Sequence, residues 1–168
     1  MFVWWGEKYV TFYNDAYRVI LGDKHPQALG ASGYEVWKEI WDVVGPMAHR
    51  VREEGNSNWA EDQLLYINRH GYVEETYFTF SYSPVLEIGG KIGGVFCACT
   101  ETTEKVLTNS KLKESETRFR NLADESPMFV FIIDADPLAP VSYWNKTWLT
   151  YTGQTFEEAL GRAWNGIL

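Results

Sequence analysis

The chain has 168 residues, a formal net charge of −8 and an aromatic share of 16%. Its lysines and arginines are scattered, which disfavours proteins that bind the phosphates of nucleic acids or an anionic membrane surface. The longest apolar run, 128–133, is far shorter than the roughly 20 residues of a membrane span, and residues 1–6 lack the basic region of a signal peptide. We therefore expect a cytoplasmic protein with no membrane segment in this stretch.

The chain opens with the pattern of a β-hairpin followed by a short helix. Runs of aromatic and β-branched residues at 1–5 and 9–13 flank a turn at 6–8, which is typical of two antiparallel strands. Asn14 can cap the first turn of a helix with its side-chain oxygen, and Gly22 is a suitable helix stop.

Residues 26–55 change to a helical period. Two sets of apolar residues fall at helical spacing: Tyr34, Trp37 and Trp41, then Val43, Met47 and Val51. Pro46 suits a first helical turn and Gly55 suits a C-terminal cap.

Three strands are predicted next, at 59–69, 72–83 and 93–100, joined by turns at 69–71 and 84–90. The order β-β-α-α-α-β-β-β, with short connections between the last three strands, predicts an α+β domain. We expect a five-stranded antiparallel sheet with the helices packed on one face.

A polar helix is predicted to follow, within residues 101–126. Leu112, Phe119 and Leu122 have the spacing of a coiled-coil seam. The pattern fits a helix that couples two domains and also one that packs back on its own sheet.

An internal repeat organises the whole chain. The stretch 10–22 resembles 141–153, with Asn14 matching Asn145 and Gly22 matching Gly153. Upstream, residues 1–3 resemble 128–130, which requires four extra residues in the second copy's turn at 134–140. Leu168 then corresponds to Trp37, so we expect the second copy to be cut mid-domain.

Short sequence words in both copies resemble PAS domains of bacterial multi-domain sensor histidine kinases. In the first copy they are Tyr13-Asn14-Asp15-Ala16-Tyr17, Ala28-Leu29-Gly30, Glu35-Val36-Trp37 and Glu101-Thr102-Thr103. In the second they are Arg118-Phe119-Arg120, Trp144-Asn145-Lys146 and Tyr151-Thr152-Gly153. The resemblance implies a PAS-like sensor domain at 1–102, a connecting signalling helix at 103–126 and the truncated start of a second PAS-like domain at 127–168.

The resemblance also implies a function in two-component signal transduction. A small ligand or a partner would act on the sensor domain, and the signal would leave at Glu101, Thr102 and Thr103 towards a histidine kinase domain outside this chain. We expect a homodimer and no catalysis by the chain itself. If a ligand pocket exists, it should lie between the helices of 34–55 and the sheet. Its predicted lining residues are Trp37, Trp41, Met47, Tyr66, Tyr77 and Cys97.

No catalytic constellation, metal site or cofactor motif is evident from the residues. Cys97 and Cys99 have no partner pair, so plain burial as free thiols is favoured over ligation. The Asn-Cys-Arg run of a photoactive flavin PAS domain is absent from the sequence. Two other functions stay open: a ligand-free oligomerisation scaffold, and a redox sensor that holds flavin or haem.

Overall fold

The computed structural model describes residues 1–133 and 141–159 of the chain. The elements are β1 (Phe2–Trp5), β2 (Val10–Tyr13), α1 (Arg18–Leu21), α2 (Gly33–Val36), α3 (Trp41–Glu54), β3 (Asn58–Asn68), β4 (Val73–Leu86), β5 (Ile92–Glu101), α4 (Thr103–Glu125), β6 (Phe131–Ile132), β7 (Tyr143–Trp144), α5 (Lys146–Thr152) and α6 (Phe156–Ala159). They form two compact units, which divide between Leu107 and Thr108. The domain boundaries expected at 102 and 126 stay predictions.

The first unit is built on an antiparallel sheet of five strands in the order β2-β1-β5-β4-β3. Strand β1 lies between β2 and β5, since Phe2 is registered with Tyr13 of β2 on one side and with Cys97 of β5 on the other. Side chains alternate between the two faces of a strand, so one face of the sheet carries the apolar residues that meet the helices. The predicted α+β architecture is confirmed.

Aromatic side chains fill the centre of this unit. The Trp4 side chain is 1% exposed, and its ring lies 4.7 Å from that of Phe2, 5.3 Å from Trp41 and 5.6 Å from Tyr82 between centroids. Tilted ring pairs of this kind add stabilisation beyond the area that they bury. The high aromatic content of the sequence is therefore used in part for packing.

The helices differ in detail from the predicted pattern. Asp15–Tyr17 is a 3-10 turn before α1, and the Asn14 side chain makes no cap hydrogen bond. The stripe predicted through Tyr34, Trp37 and Trp41 is broken, because α2 ends before Trp37 and α3 begins at Trp41.

Two prolines also lie in positions that differ from the predictions. Pro46 is inside α3 rather than in its first turn. It removes the donor to the Asp42 carbonyl, but both residues are exposed, so water can replace the lost hydrogen bond. Pro84 belongs to β4 instead of a turn. It is registered with Val95 of β5, whereas β3 pairing ends at Tyr82, so its missing N–H falls on a free edge.

The described part of the second unit contains the β6–β7 hairpin with α5 and α6. Phe131 is registered with Trp144, and the Trp144 and Trp148 rings stack with centroids 4.3 Å apart. Asn145 is fully buried and connects several segments. Its Oδ1 accepts from the Val130 and Trp148 amides, and its Nδ2 donates to the carbonyls of Ala123 and Met128.

The structure corrects the alignment of the two repeats. Phe131 occupies the position opposite Trp144 that Phe2 occupies opposite Tyr13. The second copy is therefore shifted by two residues relative to the match of 1–3 with 128–130, and two extra residues separate its strands rather than four. The predicted turn at 134–140 lies outside the described residues.

Replacing Asn145 with aspartate is expected to weaken the second unit, because the two donors of Nδ2 are lost while the acceptor oxygens remain. Unsatisfied buried carbonyls cost about 1–3 kcal/mol. Amide hydrogen exchange at Trp148 and Leu149 measures the loss. Asn14→Asp, at the matching and exposed position of the first copy, is the control. Equal exchange in both variants would contradict this role for Asn145.

Within residues 1–133 and 141–159, we find no helix that is both long and apolar enough to span a membrane.

Candidate functional site

A small cavity of about 40 Å³ lies between the helices and the sheet of the first unit. The sheet contributes side chains from β4 and β5 to its wall, namely Phe78, Phe80, Tyr82, Cys97 and Cys99. The helical layer and the segments beside it contribute Tyr17, Trp37, Ile40 and Val44. Strands β1 and β3 also line the cavity, through Phe2, Trp4, Leu65 and Ile67. Side chains of β5, the strand that leads into α4, are therefore part of the cavity wall.

The structure brings two of the six predicted lining residues to this cavity. Trp37 and Cys97 line it, while Trp41 and Met47 are half-buried and pack against the same core without lining it. Tyr66 is 52% exposed and Tyr77 is half-buried, and neither lies at the cavity.

The prediction was wrong for Tyr66 and Tyr77 because of the alternation of strand side chains. Leu65 and Ile67, on either side of Tyr66, are 5% and 1% exposed. Phe78, next to Tyr77, lines the cavity. Neighbouring residues on a strand point to opposite faces, so both tyrosines belong to the outer face, where the Tyr77 hydroxyl donates to Glu75 at 3.1 Å.

The polar atoms of the cavity wall are held mostly in their neutral form. Burial raises the pKa of the Tyr17 and Tyr82 hydroxyls and of the Cys97 thiol. A hydrogen bond with Cys97 lowers the pKa of the Cys99 thiol. Both thiols are free in this structure, with Cys97 buried and Cys99 half-buried.

Flavin and haem do not fit this cavity. Sites for molecules of that size occupy about 300–1,000 Å³, against about 40 Å³ here. None of the described lining residues is a histidine that could serve as an axial ligand to haem iron. The redox-sensor alternative therefore finds no support in the residues of this core.

A group of hydrogen-bonded polar residues lies where β5 ends and α4 begins, and Arg69 is at its centre. The guanidinium donates to both Glu101 oxygens, at 2.8 Å and 3.0 Å, and its Nε lies 3.2 Å from a Glu74 oxygen. The Arg69 side chain is 10% exposed. We call Arg69, Glu74, Glu101 and Thr103 the exit cluster.

The exit cluster holds the first residue of α4 against the sheet. The Thr103 hydroxyl donates to Glu101 at 3.0 Å and accepts from the Tyr77 amide at 3.0 Å. The Thr102 amide donates to the Tyr77 carbonyl at 2.7 Å. Hydrogen bonding to Arg69 is the main reason that the pKa of Glu101 lies below its usual value. All three predicted exit residues, Glu101, Thr102 and Thr103, thus contact or adjoin one hydrogen-bonded group.

The exit cluster is also connected to the helical layer. The Asp23 amide donates to the Arg69 carbonyl at 2.8 Å. The Lys24 ammonium lies 4.2 Å from the Trp37 ring centroid and binds Glu39, and Glu39 accepts from the Asn68 amide at 3.1 Å. Contacts therefore continue from a wall of the cavity to the residue before Arg69.

Arg69 and Glu74 were not predicted as site residues, and Arg69 was placed in the turn at 69–71. Their spacing across a β-hairpin turn was the available signal, because Glu74 is registered with Ile67, two residues before Arg69, and diagonal neighbours of this kind are within reach of long side chains. The period-two pattern of Phe78, Phe80 and Tyr82 was the signal for the cavity wall.

Two comparisons with known proteins bear on the identity of the chain. Residues 117–168 match the family model described as PAS domain. A stretch of 53 residues is 42% identical to the uncharacterized protein y4lL of Sinorhizobium fredii. The aligned stretch covers 32% of this chain and 6% of that protein. The chain thus spans a small part of the length of this relative. Residues 117–168 thus resemble a PAS domain, and the sheet of the first unit has the PAS-like α+β architecture that the sequence predicted.

Proposed function

We propose that the chain is the sensory and regulatory part of a bacterial two-component signalling protein. In this proposal a small ligand or a partner acts on the first unit, and the signal passes along α4 to a histidine kinase domain outside the chain. The chain itself has no catalytic role, works in the cytoplasm and forms a homodimer. The observation that carries the proposal is the exit cluster, which ties the ends of the cavity-lining strands to the first turn of α4.

Shared strands supply the physical link between the cavity and the helix. Phe78 lines the cavity and is registered with Glu101, the residue that Arg69 binds. A change in the spacing of β4 and β5 at the cavity would therefore reach the exit cluster through the same two strands. A ligand needs only a different affinity for two arrangements of these strands to shift their populations.

A test of the proposal compares Glu101→Gln with wild type by amide hydrogen exchange at Tyr77, Thr102 and Val106. Their amides donate to Thr103, Tyr77 and Thr102 respectively. We expect faster exchange at all three in the variant, because the neutral amide weakens the bond to Arg69. Glu61→Gln, at an exposed position, is the matched control. If the start of α4 exchanges as in wild type, the exit cluster does not control the helix and the proposal fails.

We also expect the stability of the folded chain to depend on pH through the carboxylate of Glu101. Its pKa is depressed in the folded state, so its ionised form stabilises the fold above the unfolded value of about 4.3. That contribution is lost as the pH falls through the folded pKa. Glu101→Gln should therefore be less stable than wild type at neutral pH, and the difference should shrink on acidification. Urea unfolding as a function of pH measures it. A difference that is constant with pH would exclude this carboxylate as the cause.

A ligand-free oligomerisation scaffold is the second candidate function. Two observations favour it: the core is nearly filled by rings, and Leu112 and Leu122 of α4 are 59% and 65% exposed. Native mass spectrometry of the purified chain separates the two functions. A bound small molecule supports sensing, whereas a dimer that carries none and loses its partner in Leu112→Glu supports the scaffold.

A further inference from the structure

We propose that the cavity of the first unit takes an uncharged, weakly polar ligand of about one to three non-hydrogen atoms. This inference rests on the proposed sensory function and names the class of ligand that the same site accepts. It follows from the size of the cavity and from the chemistry of its wall.

The size sets the upper limit. A cavity of about 150 Å³ takes benzene. The present cavity, at about 40 Å³, has space for a molecule of the size of a dissolved diatomic or triatomic gas. A dicarboxylate, an amino acid or an aromatic ring would have to displace core side chains such as Trp4, which lines the cavity and is 1% exposed.

The wall excludes charged ligands. None of the described lining residues is Lys, Arg, His, Asp or Glu, so neither an anion nor a cation would find a counter-ion. A buried charge without one is strongly disfavoured. Lys24 lies over the ring of Trp37, which lines the cavity, and is already bound to Glu39 and to the Val36 carbonyl.

The remaining polar groups of the wall are weak and neutral ones. The Tyr17 and Tyr82 hydroxyls and the Cys97 thiol can orient a small dipole, while rings and aliphatic side chains supply most of the contact. This combination favours a molecule with a low free-energy cost of desolvation. Strands β4 and β5 contribute five of the side chains that line the cavity, so occupancy acts on the strands that hold the exit cluster.

Xenon is the neutral probe and formate the charged probe of similar size. We expect dissolved xenon to shift the methyl resonances of Ile40, Val44 and Leu65 in the intact chain, and formate to leave them unchanged. Val44→Phe should abolish the xenon shifts, and Val19→Phe, at a position that is 76% exposed, should keep them. Leu65→Ala enlarges the cavity and should strengthen xenon binding several-fold, which keeps the test decisive if Val44→Phe does not fold.

Absence of xenon shifts in both wild type and Leu65→Ala would overturn the inference, as would shifts confined to methyls away from the cavity. Formate shifts at the lining methyls would show that the ligand class is wrong. These outcomes differ from a failure of the proposed function, because exchange at Thr102 and Val106 in Glu101→Gln is measured without any cavity ligand.

Discussion

Replacement of Arg69 by methionine is expected to lower the free energy of unfolding of the first unit by about 2–4 kcal/mol. Arg69 is the shared partner of Glu74 and Glu101, whose side chains are 16% and 28% exposed. Without the guanidinium, two half-buried carboxylates face each other with no cation between them. The cost of leaving such charges unpaired exceeds the loss of the hydrogen bonds alone.

Urea unfolding of the full chain, followed at resolved resonances of Val51 and Val95, measures this loss. Arg50→Met removes an exposed arginine on α3 and should change the stability by less than about 0.5 kcal/mol. In a variant in which Glu74 and Glu101 are both glutamine, replacing Arg69 with methionine should lower the free energy of unfolding by less than it does in the wild type. If Arg69→Met were as stable as Arg50→Met, the exit cluster would be a surface ion pair of little consequence.

Replacement of Trp4 by alanine is expected to destabilise the first unit by about 3–5 kcal/mol. The indole is buried against Phe2, Trp41 and Tyr82, and it backs onto Gly33, where an added Cβ would lie 2.7 Å from its nitrogen. Neighbours fitted this closely cannot all collapse into the space that the ring leaves. A large cavity would therefore remain.

Thermal unfolding and hydrogen exchange at Thr11 and Val95 measure the effect. Trp59→Ala is the matched control, since it removes an indole from β3 that is 68% exposed. We expect a change of less than about 1 kcal/mol there. Similar losses in the two variants would mean that Trp4 does not occupy the centre of the core.

The architecture of the first unit could be predicted from the sequence because its strands carry strong local signals. Alternating apolar residues predict strands, and short turns predict the connections between them. Gly55 predicts the end of α3. Gly55 indeed adopts a left-handed conformation with φ of 73°, and its amide donates to Val51. Pro46 and Pro84 could not be placed in the same way. Whether a missing donor is tolerated depends on solvent and on strand neighbours, which are decided only by the tertiary fold.

The candidate site was harder to predict because tertiary contacts define it. Trp37 and Cys97 were recognised, since a bulky ring and a strand thiol are typical of a core. Tyr66 and Tyr77 were wrongly assigned to the cavity because the prediction used the type of each residue and ignored the alternation of side chains between the two faces of a strand. Arg69 carries no local signal of its role, as its carboxylate partner Glu101 lies 32 residues further along the chain.

The two copies of the repeat also show that matching residues can have different tertiary contacts. Asn14 and Asn145 match in sequence, but only Asn145 is buried and caps its helix. Its Nδ2 finds the carbonyls of Ala123 and Met128, whereas Asn14 Oδ1 accepts from the amino terminus at Met1. Equivalent positions of the two copies thus have different environments, which a comparison of the residues alone does not reveal.

We propose that the cavity and the start of α4 are coupled through Arg69. Amide hydrogen exchange at Val106 tests this coupling in four proteins: wild type, Val44→Phe, Arg69→Met and the variant that carries both Val44→Phe and Arg69→Met. We predict that Val44→Phe changes Val106 exchange in the wild-type background and that the change is lost when Arg69 is methionine. If filling the cavity changes exchange in the surrounding core and leaves Val106 unaffected, or acts equally with and without Arg69, the claim is contradicted.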